Sequence, residues 1–484
     1  MIPGYIRKLT DTLWEISPDY KTGMTVPARV YGTERLVSSM EEGVFDQLTN
    51  VACLPGIANY ALCMPDGHWG YGFPIGGTAA MDAEIGVISP GGIGFDINCG
   101  MKLVKTDLTE EEVRPSLEAL VDTLYSYVPT GTGKSGRFRV GREDFRRLVE
   151  GGLEWCLDEG YAVEQDLLRT EEGGRMYGAD ADYVSSQAME RGYGQVGTLG
   201  SGNHYLEIQV AAPEDVADPE NARAFGITRD YQILVMIHCG SRGFGHQIAT
   251  DYLKDFTRKS KDTYGIDLPD RNLACVPLGS EDGRNYFAAM KCAVNMAFVN
   301  RQLIVHQVRN AFAEIFGRSA SELGIDTVYD VTHNTAKIER HTIDGAEREL
   351  LVHRKGATRA FPPGSADLPE EYRKTGQPVI LGGSMETGSY LLAGAASGAE
   401  AFFTTAHGSG RVMGRRQAKR TYSGGEIRRS LEKRGIYIRS ASDKGLAEEA
   451  GGAYKSIDEV VDATHRAGLS KKVVRLRPIG NIKG

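Results

Sequence analysis

The sequence is short of what marks several protein classes. Proline is scarce, 18 residues in 484, and the glycines follow no G-X-Y period, so neither collagen nor a low-complexity tail fits. The most apolar long stretch, residues 391–406, contains Glu400 and falls short of the roughly 20 residues a membrane helix needs. Arg7 and Lys8 bring charge early and no signal-type apolar core precedes them. The seven cysteines (Cys53, Cys63, Cys99, Cys156, Cys239, Cys275, Cys292) are odd in number and scattered. That excludes a disulfide scaffold and makes a reducing cytoplasm the expected location, with no membrane partner. No HExxH or paired CxxC is present. Residues 129–135 imitate a phosphate-binding Walker A loop, but Val128 stands where its first glycine is required.

Glycine, in contrast, is abundant, with 60 residues, nearly twice the usual share of roughly 7%. Ten lie between positions 67 and 100, and residues 382–389 and 408–410 form further glycine loops. Clustered backbone N–H groups of this kind bind anions, although glycine also serves ordinary turns. The formal net charge is −8, which by itself suggests no nucleic-acid partner. Yet ten Lys and Arg against Glu426 and Glu432 give residues 411–439 a charge of +8. Such a run reads either as a solvated helix face or as a surface that tracks phosphates.

Apolar spacing at three and four residues predicts a helix from about Asn285 to Phe316, with shorter ones over 109–128 and 141–157. Short apolar runs near glycine or asparagine predict strands at 86–89, 204–210, 231–237, 326–332 and 401–406. No Pro/Ser-rich linker or repeat divides the chain. Pattern alone leaves α/β and α+β both open.

One arrangement recurs. Apolar runs meet a metal-capable or nucleophilic side chain followed by a small residue, at Asp96 and Cys99, at His238, at His333 and at His407; His204 opens a strand after Gly200-Ser201-Gly202-Asn203. Strand ends are rigid platforms, and converging ones make a site. The other histidines, among them His306, His341, His353 and His465, read as ordinary core or surface residues. A thiolate with several imidazoles favours zinc by softness.

Taken together these segments resemble the RtcB family of RNA-splicing ligases along essentially the whole chain. The residues that carry the resemblance are Met64-Pro65-Asp66-Gly67-His68 with Gly70-Tyr71-Gly72-Phe73-Pro74, Gly91 to Gly100, Gly200 to His204 and His238 to Gly243. Gly383-Ser384-Met385, His407 to Arg411 and Ile482-Lys483-Gly484 complete them. Gly67, Trp69 and Ser409 vary the pattern without removing a candidate ligand. The resemblance implies an α+β fold: one interwoven domain, 1–484, with central β-sheets flanked by helices. It implies a GTP- and Mn(II)-dependent ligase that joins RNA bearing a 2′,3′-cyclic phosphate or 3′-phosphate to RNA with a 5′-hydroxyl, in tRNA splicing and RNA repair. Archease comes with the family as a candidate activating partner.

Carried over position by position, His407 is the nucleophile that becomes guanylylated. Two manganese ions, in place of zinc, are bridged by Cys99, with Asp96 and His204 completing one and His238 and His333 the other. The guanine nucleotide lies against Asn203, His204, Glu207, Asn334, Gly382, Gly383, Ser384, Met385, Ser389, Gly408, Ser409, Gly410, Tyr454 and Lys483. Asp66 and His68 support the metals from behind. Two rival readings remain from the residues alone: a metal-dependent phosphoesterase that opens cyclic phosphates without joining, and a non-catalytic RNA-binding protein.

Overall fold

The computed structural model describes residues 2–484. It mixes helices with two large sheets. The first sheet has seven strands in the order Ile6–Lys8, Leu13–Ile16, Ala28–Tyr31, Ile57–His68, Ile75–Asp82, Ala346–Lys355 and Asn334–Ile343. The second runs Asp326–Thr332, Gly100–Thr109, Gln232–Cys239, Tyr205–Ala211, Ser470–Lys483, Ser389–Gly394 and Pro378–Leu381, with Tyr437–Ser440 added parallel to the 470–483 strand. Its two outer strands pack against each other, so the sheet nearly closes. The chain passes directly from one sheet to the other at His333, between the strands Asp326–Thr332 and Asn334–Ile343. A small ribbon pairs Ala357–Arg359 with Thr404–Ala406.

The long helix is Glu281–Phe316, a turn earlier than expected. Its first residues are polar and carry no apolar period, and the Ser280 side chain accepts from the Gly283 N–H to start it. Most of this helix is buried, including Asn295, Asn300, Arg301 and Gln302.

Two expected helices are broken. The 109–128 segment gives Glu110–Val113 and Leu117–Tyr127 around a 3-10 turn at Arg114–Ser116, because Pro115 has no N–H to continue the ladder. The 141–157 segment gives Arg142–Gly151 and Leu153–Asp158, separated by Gly152 at φ +59°. A β-carbon there would stand 2.4 Å from the Gly174 carbonyl oxygen, so only glycine fits.

Among the strands, Asp326–Thr332 matches the expected bounds and Tyr205–Ala211, Gln232–Cys239 and Val87–Ile88 differ at their ends. The 401–406 run is strand only over Thr404–Ala406. Phe402 and Phe403 take left-handed conformations, at φ +50° and +47°, after a 3-10 turn at Ala396–Ala401. An apolar run signals burial there, not extension.

Candidate active site

Four strands of the second sheet lie side by side, all antiparallel: 326–332, 100–109, 232–239 and 205–211. Antiparallel pairing sets the start of one strand beside the end of the next. Gly100 pairs with both Thr332 and Cys239, while His238 pairs with both Met101 and Tyr205. Cys99, just before one strand, therefore meets His333, just after its neighbour, and His204, just before another. Asp96 and Cys99 sit on a loop that opens a strand rather than at the end of one.

Two donor groups result, Asp96, Cys99 and His204, and Cys99, His238 and His333, each with ligand atoms within 4.8 Å of one another. Cys99 Sγ is 3.4 Å from His204 Nε2 and 3.3 Å from His238 Nε2, and His238 Nε2 is 3.3 Å from His333 Nε2. His204 Nε2 is 2.8 Å from Asp96 Oδ2, while its Nδ1 faces the Leu199 carbonyl at 3.0 Å. With its proton on that Nδ1, the ring turns its Nε2 lone pair inward.

Burial, then the neighbouring imidazoles, push His238 and His333 far below the ordinary histidine value, so both are neutral donors. Burial and then Asp96 push the Cys99 thiol up. Burial would also raise Asp96, but His204 and Arg242 outweigh it and hold the carboxyl at about 2. A divalent cation among these atoms satisfies facing lone pairs that cannot all share protons, and its charge favours the thiolate. The donor set fits two transition-metal ions sharing one sulfur.

The loop is clamped from below. Arg301, wholly buried, donates to the carbonyls of Asn98 and Cys239, each at 2.9 Å, and to the Asp330 carboxylate at 2.8 Å. The neighbouring Asn300 accepts from Gly197 N and Thr198 N and donates to Gly240 O. Adjacent residues of one helix thus tie together the loops that carry Cys99, His204 and His238. A β-carbon on Gly240 would meet Asp96 Oδ1 at 2.3 Å, so that carboxylate can approach only a glycine.

His407 follows the Thr404–Ala406 strand, and its ring lies 4.9 Å from that of His333. Asp66, at the far end of the Ile57–His68 strand of the other sheet, is fully buried beneath it. One oxygen, Asp66 Oδ2, accepts from His407 Nδ1 at 2.6 Å, His407 N at 3.0 Å and Gly408 N at 3.2 Å. Burial would raise this carboxyl, but the His407 imidazole and its N–H donors outweigh it and hold it below the usual carboxylate value. The proton is thereby kept on Nδ1, and the His407 Nε2 lone pair is left free. Asp66 supports His407 rather than a metal donor. His68, its Nδ1 3.0 Å from the Asp66 carbonyl, lies beside it.

The space in front of these groups is a cleft of about 620 Å³, within the roughly 300–1,000 Å³ range of small-molecule sites. Asn203, Asn334, Gly382, Gly383, Ser384, Met385, Gly408, Ser409, Gly410, Tyr454 and Lys483 line it. Glu207 and Ser389 do not; they lie behind the wall. Gln209 Nε2 donates to Glu207 at 2.7 Å and to Ser389 at 3.3 Å, and Ser389 Oγ accepts from Gly383 N. Glu207 is pushed up to about 7 by burial.

Several wall residues had no signal in the sequence. Lys355, from the other sheet, is pushed down to about 7 by burial and donates to the carbonyls of Tyr71, Phe73 and Gly91. Glu449 pairs with Arg411, accepts from Tyr454 and faces Lys483 at 3.8 Å.

The basic segment forms the helices Arg415–Thr421 and Gly424–Lys433 beside the cleft. Its +8 does not stand alone in space. Arg411, Arg415, Lys419, Arg428, Arg434 and Arg439 pair with Glu449, Glu448, Asp443, Glu386 and Asp122. Arg416, Arg420, Arg429 and Lys433 are exposed, and no ion pair engages them among the described residues.

Residues 47–484 match the family model described as RtcB, tRNA-splicing ligase RtcB. The chain is 50% identical over 486 residues to a protein named tRNA-splicing ligase RtcB from Thermococcus kodakarensis, covering 100% of this chain and 99% of that protein. It is 49% identical over 482 residues to one of the same name from Archaeoglobus fulgidus, covering 99% of each. A protein named RNA-splicing ligase RtcB from Mycobacterium bovis is 50% identical over 441 residues, 90% of this chain and 100% of that relative. A full-length match of this kind, over a chain whose two sheets meet at one histidine- and cysteine-lined cleft, places this protein in the RtcB family.

Proposed function

We propose that this RNA ligase joins RNA ending in a 2′,3′-cyclic phosphate or 3′-phosphate to RNA with a 5′-hydroxyl, using GTP and manganese. The observation that carries the reading is an Asp66-held His407 whose free Nε2 stands beside two donor groups sharing Cys99. His407 Nε2 attacks the α-phosphate of GTP; the P–N bond forms as the bond to the β-phosphate oxygen breaks and pyrophosphate leaves. Asp66 keeps the proton on Nδ1 and stabilises the positive charge the ring acquires. The 3′-phosphate then takes the GMP group from His407, breaking the P–N bond. The 5′-hydroxyl attacks that phosphorus, losing its proton, and GMP departs as the strand closes. Two cations held by Asp96, Cys99, His204, His238 and His333 would neutralise the phosphates and polarise their oxygens. Softness favours zinc for such donors; family membership favours manganese, and we follow the family.

Asn203, Asn334, the 382–385 and 408–410 loops, Tyr454 and Lys483 would hold the nucleotide, with Glu207 and Ser389 bracing the wall. Residues 1–484 act as one catalytic unit in this reading, because one sheet supplies the metal donors and the other Asp66. The substrates are tRNA halves or cleaved RNA, and archease is a partner to be tested. Seven free cysteines and the absence, among described residues, of any helix long and apolar enough to cross a membrane support a cytoplasmic setting.

Incubation with α-labelled GTP and manganese should give an acid-labile label on the protein. Equal labelling of His407→Ala would refute the mechanism. Opening of a cyclic phosphate without GTP, and no joined product under any condition, would favour a phosphoesterase instead.

A further inference from the structure

One rim of the cleft is aromatic and unusually bare. Trp69 is 64% exposed and Tyr71 36% exposed, although large rings at a folded surface are ordinarily tucked in. The Tyr71 ring lies 5.4 Å from Phe95, and Phe95 stacks on His246 at 5.0 Å with 26° between planes. The series leads outward from Asp96, the residue after Phe95, to the exposed His246 on the helix Arg242–Asp262. Trp69 rests over Gly43, with its ring 3.8 Å from where a β-carbon there would stand, and no other aromatic ring stacks on it among the described residues. Charged groups flank the rings: Asp270 and Arg271 beside Tyr71, and Arg191 beside His246. The opposite rim carries Val412, 49% exposed, and Arg415, which lies over Gly202.

Exposed rings in series with guanidinium groups between them are the architecture that binds unpaired nucleic acid. Every base has a π-face, so stacking tolerates sequence, and the cations follow the backbone. A flat protein partner is a poorer match, because the row opens into a cleft where only a chain end can enter. We propose that the rim of Trp69, Tyr71, Phe95 and His246 is a stacking track for the terminal unpaired bases of an RNA strand entering the cleft. The inference rests on the ligase reading and assigns a place to its macromolecular substrate. It also makes Trp69, a departure from the family's first motif, a determinant of how tightly this protein grips an RNA end.

The chain is well suited to a direct test. Of its three tryptophans, Trp14 and Trp155 are 5% and 6% exposed, so iodide quenching reports almost wholly on Trp69. A single strand with a 3′-phosphate and another with a 5′-hydroxyl are titrated separately into the full-length protein, each with its terminal bases intact or abasic. Shielding of Trp69 by base-bearing but not abasic RNA is expected for one strand, and identifies it. Trp69→Ala should weaken that strand's binding by about 5- to 30-fold. Trp69→Phe should restore most of it, and abasic RNA should bind both variants alike. No shielding by either strand, or an equal loss on abasic RNA, overturns the track. Joining that proceeds with the same KM in Trp69→Ala would overturn it while leaving the ligase reading intact; failure of GTP labelling would overturn the ligase reading itself.

Discussion

Asp66→Asn is the most informative single change in this protein. The side chain keeps its size, and an amide oxygen can still accept from His407 Nδ1, His407 N and Gly408 N. What disappears is a fully buried negative charge beneath a ring that turns cationic as Nε2 bonds to phosphorus. Taking the imidazolium charge as centred about 4 Å from Oδ2, with an effective dielectric of about 20, the interaction is about 4 kcal/mol. That corresponds to roughly a thousandfold in rate. Single-turnover labelling with α-labelled GTP measures it, with metal affinity by calorimetry as the control, since Asp66 is not among the metal donors. Asp66 is held below the usual carboxylate range. Its contribution is therefore fully present above that range and is lost only as pH falls through its lowered value. Between pH 5 and 8 the wild-type-to-variant ratio should stay flat. Labelling within threefold of wild type, or a ratio that collapses across that interval, would refute the reasoning.

Cys99→Ala should weaken both cation sites together, whereas His204→Ala should spare the one formed with His238 and His333; titration with manganese, counting ions bound, separates the two. Glu207 is raised from 4.5 to about 7 in the fold, so stability is full below pH 4.5 and declines as pH rises to 7, by about 3 kcal/mol. Glu207→Gln should flatten that decline in denaturant melts at pH 5 and 8, because Gln209 Oε1 and Asn481 Oδ1 lack partners and can accept from the new amide. Replacing Arg416 and Arg420 by Gln should lower the log–log salt slope of RNA binding by about 1. Replacing Arg439, already paired with Asp122, should change it far less.

The chemistry of the site was legible locally, and its support was not. Asp96, Cys99, His204, His238, His333 and His407 share a strand-end setting that a reader can find without coordinates. Asp66 could be marked as important, but its grip on His407 joins positions 341 apart, and nothing in its own neighbours announces that contact. Arg301 is less visible still. It lies within an apolar-periodic helix, where charge suggests an exposed face, yet it is wholly buried and clamps two loops. The +8 of residues 411–439 misled in the other direction, because its neutralising partners come from positions 122, 386, 443, 448 and 449. At Phe402 and Phe403 hydrophobicity reported burial correctly and conformation wrongly.

Residue identity and short-range order thus determined which groups exist here: imidazoles and a thiol able to hold cations, glycine loops able to meet phosphate, and helices interrupted at Pro115 and Gly152. They determined these because propensity, turn chemistry and donor type are properties of a few consecutive residues. Only the tertiary structure decided what the groups do together. Antiparallel register brought the starts and ends of four strands to one edge, so that Cys99 meets three histidines at once. The crossing between sheets then set the carboxylate of Asp66 under His407 and chose which ring nitrogen is left bare.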